Sequence, residues 1–90
     1  MDNYTFAATI AERWGGRTPQ VQIVPDDPQA YLAWRARVGL DGNVEWNGPQ
    51  LQITVSAAEF VARCEGAQRV RYTVRRAGSQ MRGVNLQAIG

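Results

Sequence analysis

The feature that most constrains the fold is a short predicted helix whose start and end are both indicated by specific residues. Stretches in which apolar and polar residues alternate precede and follow it. Ser56 and Glu59 form a capping box, in which the serine accepts from a free backbone N–H and the glutamate reaches back. Apolar residues follow at helical spacing: Phe60, Val61 and Cys64. Gly66 supplies the left-handed residue that commonly ends a helix. The sequence therefore predicts a helix over residues 57–65.

A β-hairpin is predicted directly after this helix. Residues 69–75 alternate between an apolar face and a face that carries arginine. The segment 77–79 (AGS) is a turn signal, and residues 84–89 alternate again in a second strand. The C-terminal third of the chain thus predicts helix, strand, turn and strand.

Four more strands are predicted before the helix. Residues 21–24 are short and β-branched, and residues 51–55 alternate up to the helix cap. Residues 31–38 also alternate and are predicted as a strand. The pair Asp-Gly at 41–42 is typical of a tight turn, which would join that strand to another at 44–46.

The N-terminal segment fits two structures. Phe6, Ile10 and Trp14 are spaced four residues apart, which favours a helix ending at the two glycines that follow. Residues 4–10 also alternate between apolar and small polar side chains, which favours a strand. Periodicity alone does not decide between them.

The size of the chain predicts one domain, residues 1–90, with a single core. No apolar run reaches the roughly 18 residues that cross a bilayer. The first residues carry neither the basic region nor the apolar segment of a signal peptide, so we expect a cytoplasmic protein with no membrane partner. Cys64 is the single cysteine, and its place on the apolar side of the helix predicts a buried structural residue.

The side chains on which most enzymes depend are missing. All ten basic residues are arginine, so the chain has no lysine for a Schiff base, and it has no histidine for general acid–base catalysis. Asp26 and Asp27 lie between two prolines and predict a loop rather than a metal or catalytic pair. We therefore expect no catalytic residue, no metal site, no cofactor and no enzymatic activity.

The charge is unevenly distributed. Residues 66–90 contain half of the arginines and no acid; these are Arg69, Arg71, Arg75, Arg76 and Arg82. In residues 1–65, five arginines against eight acids leave a formal charge of −3, whereas the five arginines of the tail give +5. An arginine-lined strand can bind the backbone of a nucleic acid with strong salt dependence and little sequence preference. The solvated outer face of a sheet would explain the same pattern.

The order of the elements and several short segments resemble a known family. Strands, a helix and two further strands follow one another as in an OB-fold barrel. Residues 65–74 (EGAQRVRYTV) resemble the "EGQRVRFEV" strand of cold-shock domains, and residues 84–89 (VNLQAI) are similar to their closing "AVNVRAI". Residues 53–57 (ITVSA) are similar to the end of "VFVHVSA". Residues 8–10 (ATI) with Trp14, followed by residues 23–27 (IVPDD), are similar to "GTVKWFN…FGFIxPDDG". The resemblance implies an OB-like barrel, an N-terminal strand and single-stranded nucleic acid as the partner.

Three segments depart from that family. The stretches that carry its base-stacking aromatics read PQVQIV at 19–24 and LQITV at 51–55. About twenty residues, 28–49, stand where the family has a short turn. An OB-like barrel would therefore contain an inserted hairpin here.

The inserted segment contains two tryptophans. Trp34 and Trp46, together with Tyr31, could form another stacking platform beside Arg35 and Arg37. Alternatively, both tryptophans lie in the core, since small domains need large apolar residues buried.

The sequence predicts a mainly β fold with one short helix, in which the strands form a small antiparallel OB-like barrel. The alternative is an α+β fold with an N-terminal helix packed on an antiparallel sheet. The predicted function is a small non-enzymatic nucleic-acid-binding protein whose arginine-rich C-terminal hairpin contacts the phosphate backbone. The alternative is a protein-binding module, such as a phage-encoded inhibitor or accessory subunit, that docks on an acidic protein surface. A structural subunit of a virion is a third hypothesis.

Overall fold

The computed structural model describes residues 3–14, 20–40, 42, 44, 46–47 and 50–89, without the side chains of 12–14 and 46–47. In chain order the elements are β1 (Tyr4–Trp14), β2 (Gln20–Pro25), α1 (Pro28–Arg37), β3 (Trp46–Asn47), β4 (Gln50–Leu51), β5 (Ile53–Ser56), α2 (Ala57–Cys64), β6 (Arg69–Ala77) and β7 (Gln80–Ile89). Neither helix in these described ranges is long and apolar enough to cross a membrane.

The main sheet has five strands in the order β5-β2-β1-β6-β7, and every neighbouring pair is antiparallel. The sheet curls into a half-barrel, and the fold is mainly antiparallel β with two helices. The strands β3 and β4 form a separate two-stranded ladder. Helix α2 follows β5 directly and contacts both edge strands, β5 and β7.

The N-terminal segment, for which the family resemblance favoured a strand, is a strand and lies at the centre of this sheet. Strand β1 pairs with β2 on one side and with β6 on the other. Phe6 and Ala8 are buried, whereas Thr5 and Thr9 are exposed, so burial follows the period of two expected for a strand. The alternative fold with an N-terminal helix is therefore wrong.

The strand predicted over residues 31–38 is wrong, because this segment lies in helix α1. The Asp27 carboxylate accepts from the backbone N–H of Ala30 at 3.0 Å, and Pro28 occupies the first turn, where a proline is favourable. Gly39 follows the helix with φ +82°. Residues 25–28, interpreted as a loop, therefore include Asp27, the residue that caps the start of this helix.

The hairpin predicted between residues 31–38 and 44–46 is absent from the described part of the chain. Trp46 and Asn47 pair instead with Leu51 and Gln50, two residues of β4. Asp41 of the predicted Asp-Gly turn lies outside the described residues.

The C-terminal predictions are confirmed. Ser56 accepts from the backbone N–H of Glu59 at 3.2 Å and caps α2, and Gly66 adopts φ +84° just after the helix. Strands β6 and β7 form the predicted hairpin, and its turn contains Gly78 at φ +64°.

Buried residues of the main sheet and of both helices form one core. Its largest part is a group of aromatic rings from β1, α1 and β6: Tyr4, Phe6, Tyr31, Trp34 and Tyr72. Trp34 is 1% exposed and stacks on Tyr4 with ring centroids 5.5 Å apart. Cys64 is also buried, and burial raises the pKa of its thiol, as expected of a structural cysteine.

Candidate nucleic-acid interface

Three arginines of β6 share the outer face of the sheet because the strand alternates strictly. Val70, Tyr72 and Val74 point into the core, so the odd-numbered residues of this strand point outward. Arg69, Arg71 and Arg75 are exposed on that outer face, with the partly buried Thr73 between them. The alternation predicted for residues 69–75, with one apolar face and one face that carries arginine, is confirmed.

A β-bulge adds a fourth arginine to this face. Thr73 pairs with Asn85 but Val74 pairs with Gly83, so Val84 is an extra residue in β7. Beyond the bulge, Arg82 lies directly opposite Arg75. An unbroken register would have placed Arg82 opposite Arg76, on the other side of the sheet.

The Arg75–Arg82 pair is electrostatically unfavourable by itself. Residues directly opposite in an antiparallel pair have their side chains close together, and like charges in that position destabilise the sheet. No described residue forms an ion pair or hydrogen bond with either guanidinium. The outer face therefore holds two adjacent positive charges without a described counter-charge.

Arg69 already has a partner. It donates to both carboxylate oxygens of Asp26, at 3.0 and 2.6 Å, and to the hydroxyl of Thr9 at 3.1 Å. The hydrogen bonds from Arg69 lower the pKa of Asp26, and those same bonds raise the pKa of Arg69. This pair connects the segment after β2 to the start of β6, and it leaves Arg69 less free to bind an external anion.

Arg76 does not belong to the same face. It lies one residue beyond Arg75, so the alternation turns it toward the opposite side of the sheet. Its guanidinium donates to the backbone carbonyl of Val38 at 3.3 Å. This carbonyl lies at the C-terminus of α1, where the helix dipole favours a cation.

We define the arginine face as Arg71, Arg75 and Arg82, the exposed cations of the outer face that have no ion pair with a described residue. Neutral hydrogen-bonding groups surround them: Thr5, Thr73, Asn85 and Gln87. The hydroxyls of Thr5 and Thr73 lie 2.9 Å apart. Arg71 and Arg75 are about 13 Å apart along the strand, because each residue rises about 3.3 Å. The face can therefore contact several phosphates of an extended strand.

The predicted stacking platform does not form around Trp34. Trp34 is core, as the second interpretation of this residue expected, and Tyr31 and Arg35 are buried with it. Arg37 is exposed at the end of α1. The side chain of Trp46 lies outside the described residues. Base stacking therefore has no support from the described aromatic residues of this segment.

The arginine face offers guanidinium cations together with neutral hydrogen-bonding groups. Across the described ranges, no cluster of three or more histidine, cysteine or carboxylate side chains could hold a metal ion. No protein-family model matches this chain, and no curated protein or solved structure matches it either. The arguments for its function therefore come from the geometry and charge of its own residues.

Proposed function

We propose that this protein binds single-stranded nucleic acid through the phosphate backbone, with the arginine face as the contact surface. The observation that carries the proposal is the cross-strand pair of Arg75 and Arg82 without a described counter-charge. A phosphate bound between the two guanidinium groups would relieve their repulsion. Arginine suits this contact because its planar fork binds phosphate through two hydrogen bonds.

The strand order supports an OB-like half-barrel as the scaffold. The helix α2 stands between the third and fourth strands of the main sheet, counted along the chain as β1, β2, β5, β6 and β7. Closing the barrel would require β5 to approach β7, and α2 contacts both of these edges. The turn between β6 and β7 corresponds to a loop that such folds use to bind oligonucleotides. Arg75 and Arg82 lie beside that turn.

The binding mode differs from that of cold-shock domains. The arginine face has no described aromatic residue on which a base could stack, so the contacts would be made with phosphates rather than with bases. Such binding depends strongly on salt and discriminates little between sequences. Three phosphate contacts to a single strand predict a slope of about −2 for log K against log salt.

Fluorescence anisotropy with labelled single-stranded and duplex oligonucleotides tests the proposal, at about 50 mM and about 200 mM salt. We expect the affinity to fall with salt at the predicted slope and to change little with base sequence. Replacing Arg71, Arg75 and Arg82 together by glutamine should remove the salt-dependent binding. The single substitutions Arg75→Gln and Arg63→Gln form a matched pair, because each removes one charge and Arg63 is exposed on α2, away from the arginine face.

Two outcomes would overturn the proposal. Absence of binding at the lower salt concentration would leave docking on an acidic protein surface as the better explanation of the arginine face. Binding that is equally weakened by Arg63→Gln and by Arg75→Gln would show that only net charge matters.

A further inference from the structure

A cavity of about 480 Å³ opens between α1, the β4–β5 segment and the turn of the β6–β7 hairpin. Its volume lies in the range of small-molecule sites, roughly 300–1,000 Å³. Its lining combines apolar and polar side chains, among them Leu40, Leu51, Gln52, Gln80 and Met81. Met81 lies opposite Arg76, so the cavity is on the other side of the sheet from the arginine face.

Arg35 is the charged residue among the described lining residues of this cavity, and it is only 8% exposed. Its Nη1 donates to the hydroxyl of Tyr31 at 3.3 Å and approaches Sδ of Met81 at 3.8 Å. Its Nη2 donates to the carbonyl of Gly42 at 2.8 Å. All three acceptors are neutral.

Arg35 has a cation–π contact with the ring of Tyr31, whose centroid lies 5.8 Å from its guanidinium carbon, but it has no opposite charge beside it in the described part of the chain. No described carboxylate pairs with it, and its buried Nε has no described acceptor. A guanidinium has five donors and no acceptor, and burying it without an opposite charge is unfavourable. Arg76 adds positive charge at the rim, since its Nη1 would lie 3.8 Å from a Cβ at Gly39, a cavity-lining residue.

We propose that this cavity binds a small organic anion, whose phosphate or carboxylate group pairs with Arg35. The apolar lining from Leu40, Leu51 and Met81 would cover the body of the ligand. The side-chain amides of Gln52 and Gln80 offer donors and acceptors that can orient it. This site is independent of the arginine face, so either proposal can fail without the other.

Calorimetric titration and thermal denaturation with four probes test the proposal. Adenosine 5′-monophosphate and benzoate carry a phosphate and a carboxylate on an aromatic body, adenosine is the neutral match, and inorganic phosphate is the anion alone. We expect at least one of the two organic anions to bind and to raise the melting temperature. Adenosine and inorganic phosphate should bind at least about tenfold more weakly, because each lacks one half of the recognition.

Variants locate the site. Arg35→Gln should weaken binding of the organic anion about tenfold to a hundredfold, the usual loss when a charge-assisted hydrogen bond is removed. Gln80→Glu places a negative charge at an exposed position of the rim and should weaken binding several-fold, even if Arg35→Gln fails to fold. Arg71→Gln should leave the affinity unchanged.

Three results would overturn the proposal. The first is that neither organic anion binds the unmodified protein. The second is that inorganic phosphate binds as tightly as adenosine 5′-monophosphate, while neither adenosine nor benzoate binds. This result would indicate simple attraction between charges. The third is that Arg71→Gln abolishes binding while Gln80→Glu does not, which would place the anion on the arginine face.

Discussion

The ring of Tyr72 occupies the space that a side chain at Gly83 would need. A Cβ built on Gly83 would lie only 2.9 Å from Cζ of Tyr72, and it would overlap the hydroxyl oxygen. Gly83 borders the β-bulge, where it pairs with Val74. Since the same bulge places Arg82 opposite Arg75, the packing of Tyr72 under Gly83 supports the geometry of the arginine face.

Gly83→Ala should destabilise the fold by about 1–3 kcal/mol, because the added methyl group is forced against a buried ring. Urea denaturation measures the change in the free energy of unfolding. Tyr72→Phe in the same chain should recover part of the loss, since it removes the hydroxyl that overlaps the new methyl group.

Gly42→Ala is the control for this prediction. A Cβ at Gly42 would meet no described atom within 4 Å. Its effect should therefore stay within about 0.5 kcal/mol. Equal losses from the two alanine substitutions, or strictly additive effects of Gly83→Ala and Tyr72→Phe, would contradict the steric explanation.

The Asp26 carboxyl should titrate below the ordinary value of 3.8, because Arg69 donates two hydrogen bonds to its charged form. Because the pKa is lower in the folded state, the pair stabilises the fold at every pH above the ordinary pKa of the carboxyl group. This contribution is lost as the pH falls through the lowered pKa. Carboxyl-resolved NMR titration measures the shift.

Arg69→Gln should return the pKa of Asp26 toward 3.8, whereas Arg71→Gln, two residues away on the same face, should leave it unchanged. A pKa of Asp26 that does not respond to Arg69→Gln would assign the shift to another group.

The hydroxyl of Tyr72 should resist ionisation at alkaline pH. Burial is the main cause that raises its pKa from 10.0 to about 12. At a pH between these two pKa values, Tyr72 is ionised in the unfolded chain but still protonated in the folded one. The free energy of unfolding should therefore fall as the pH rises through this range. Phenolate absorbance should show a transition near pH 12 that disappears in Tyr72→Phe. An ordinary transition near 10 for every tyrosine would contradict this.

The sequence predicted well those elements whose signals are local. The cap at Ser56, the stop at Gly66 and the alternation of residues 69–75 all act within a few residues of the structure they specify. The helix α1 was missed because its residues also alternate. Its buried members, Tyr31, Trp34 and Arg35, fit the helical spacing of three and four residues equally well. Asp27 before Pro28 was the signal that could have decided between them.

The candidate site depends more on contacts between distant residues. The pairing of Arg69 with Asp26 spans 43 positions and requires the register of three strands. Arg82 reaches the arginine face only because of the bulge. The extra residue Val84 shifts the pairing by one position, so the residues of β7 between the bulge and the turn change sides. Neither arrangement leaves a signal in composition or in local periodicity.

Opposite effects on stability and on binding are expected when Arg82 is replaced by glutamate. Arg82→Glu converts the like-charged cross-strand pair with Arg75 into an attractive one, which should stabilise the hairpin by roughly 0.2–1 kcal/mol. If the arginine face binds phosphate as proposed, the same substitution removes one contact and neutralises a second, so the affinity for a single-stranded oligonucleotide should fall steeply. Urea denaturation and anisotropy titration of one preparation measure both effects.

Arg76→Glu provides the comparison, because it makes the same change of charge on the opposite side of the sheet. This variant would lose the hydrogen bond to the carbonyl of Val38 and place a negative charge at a helix C-terminus, so it should lower stability. Its effect on oligonucleotide affinity should be smaller than that of Arg82→Glu. If Arg75 and Arg82 together bind an anion, only Arg82→Glu should both raise the stability and lower the oligonucleotide affinity. Equal losses of affinity in both variants would instead assign binding to the net charge of the C-terminal segment.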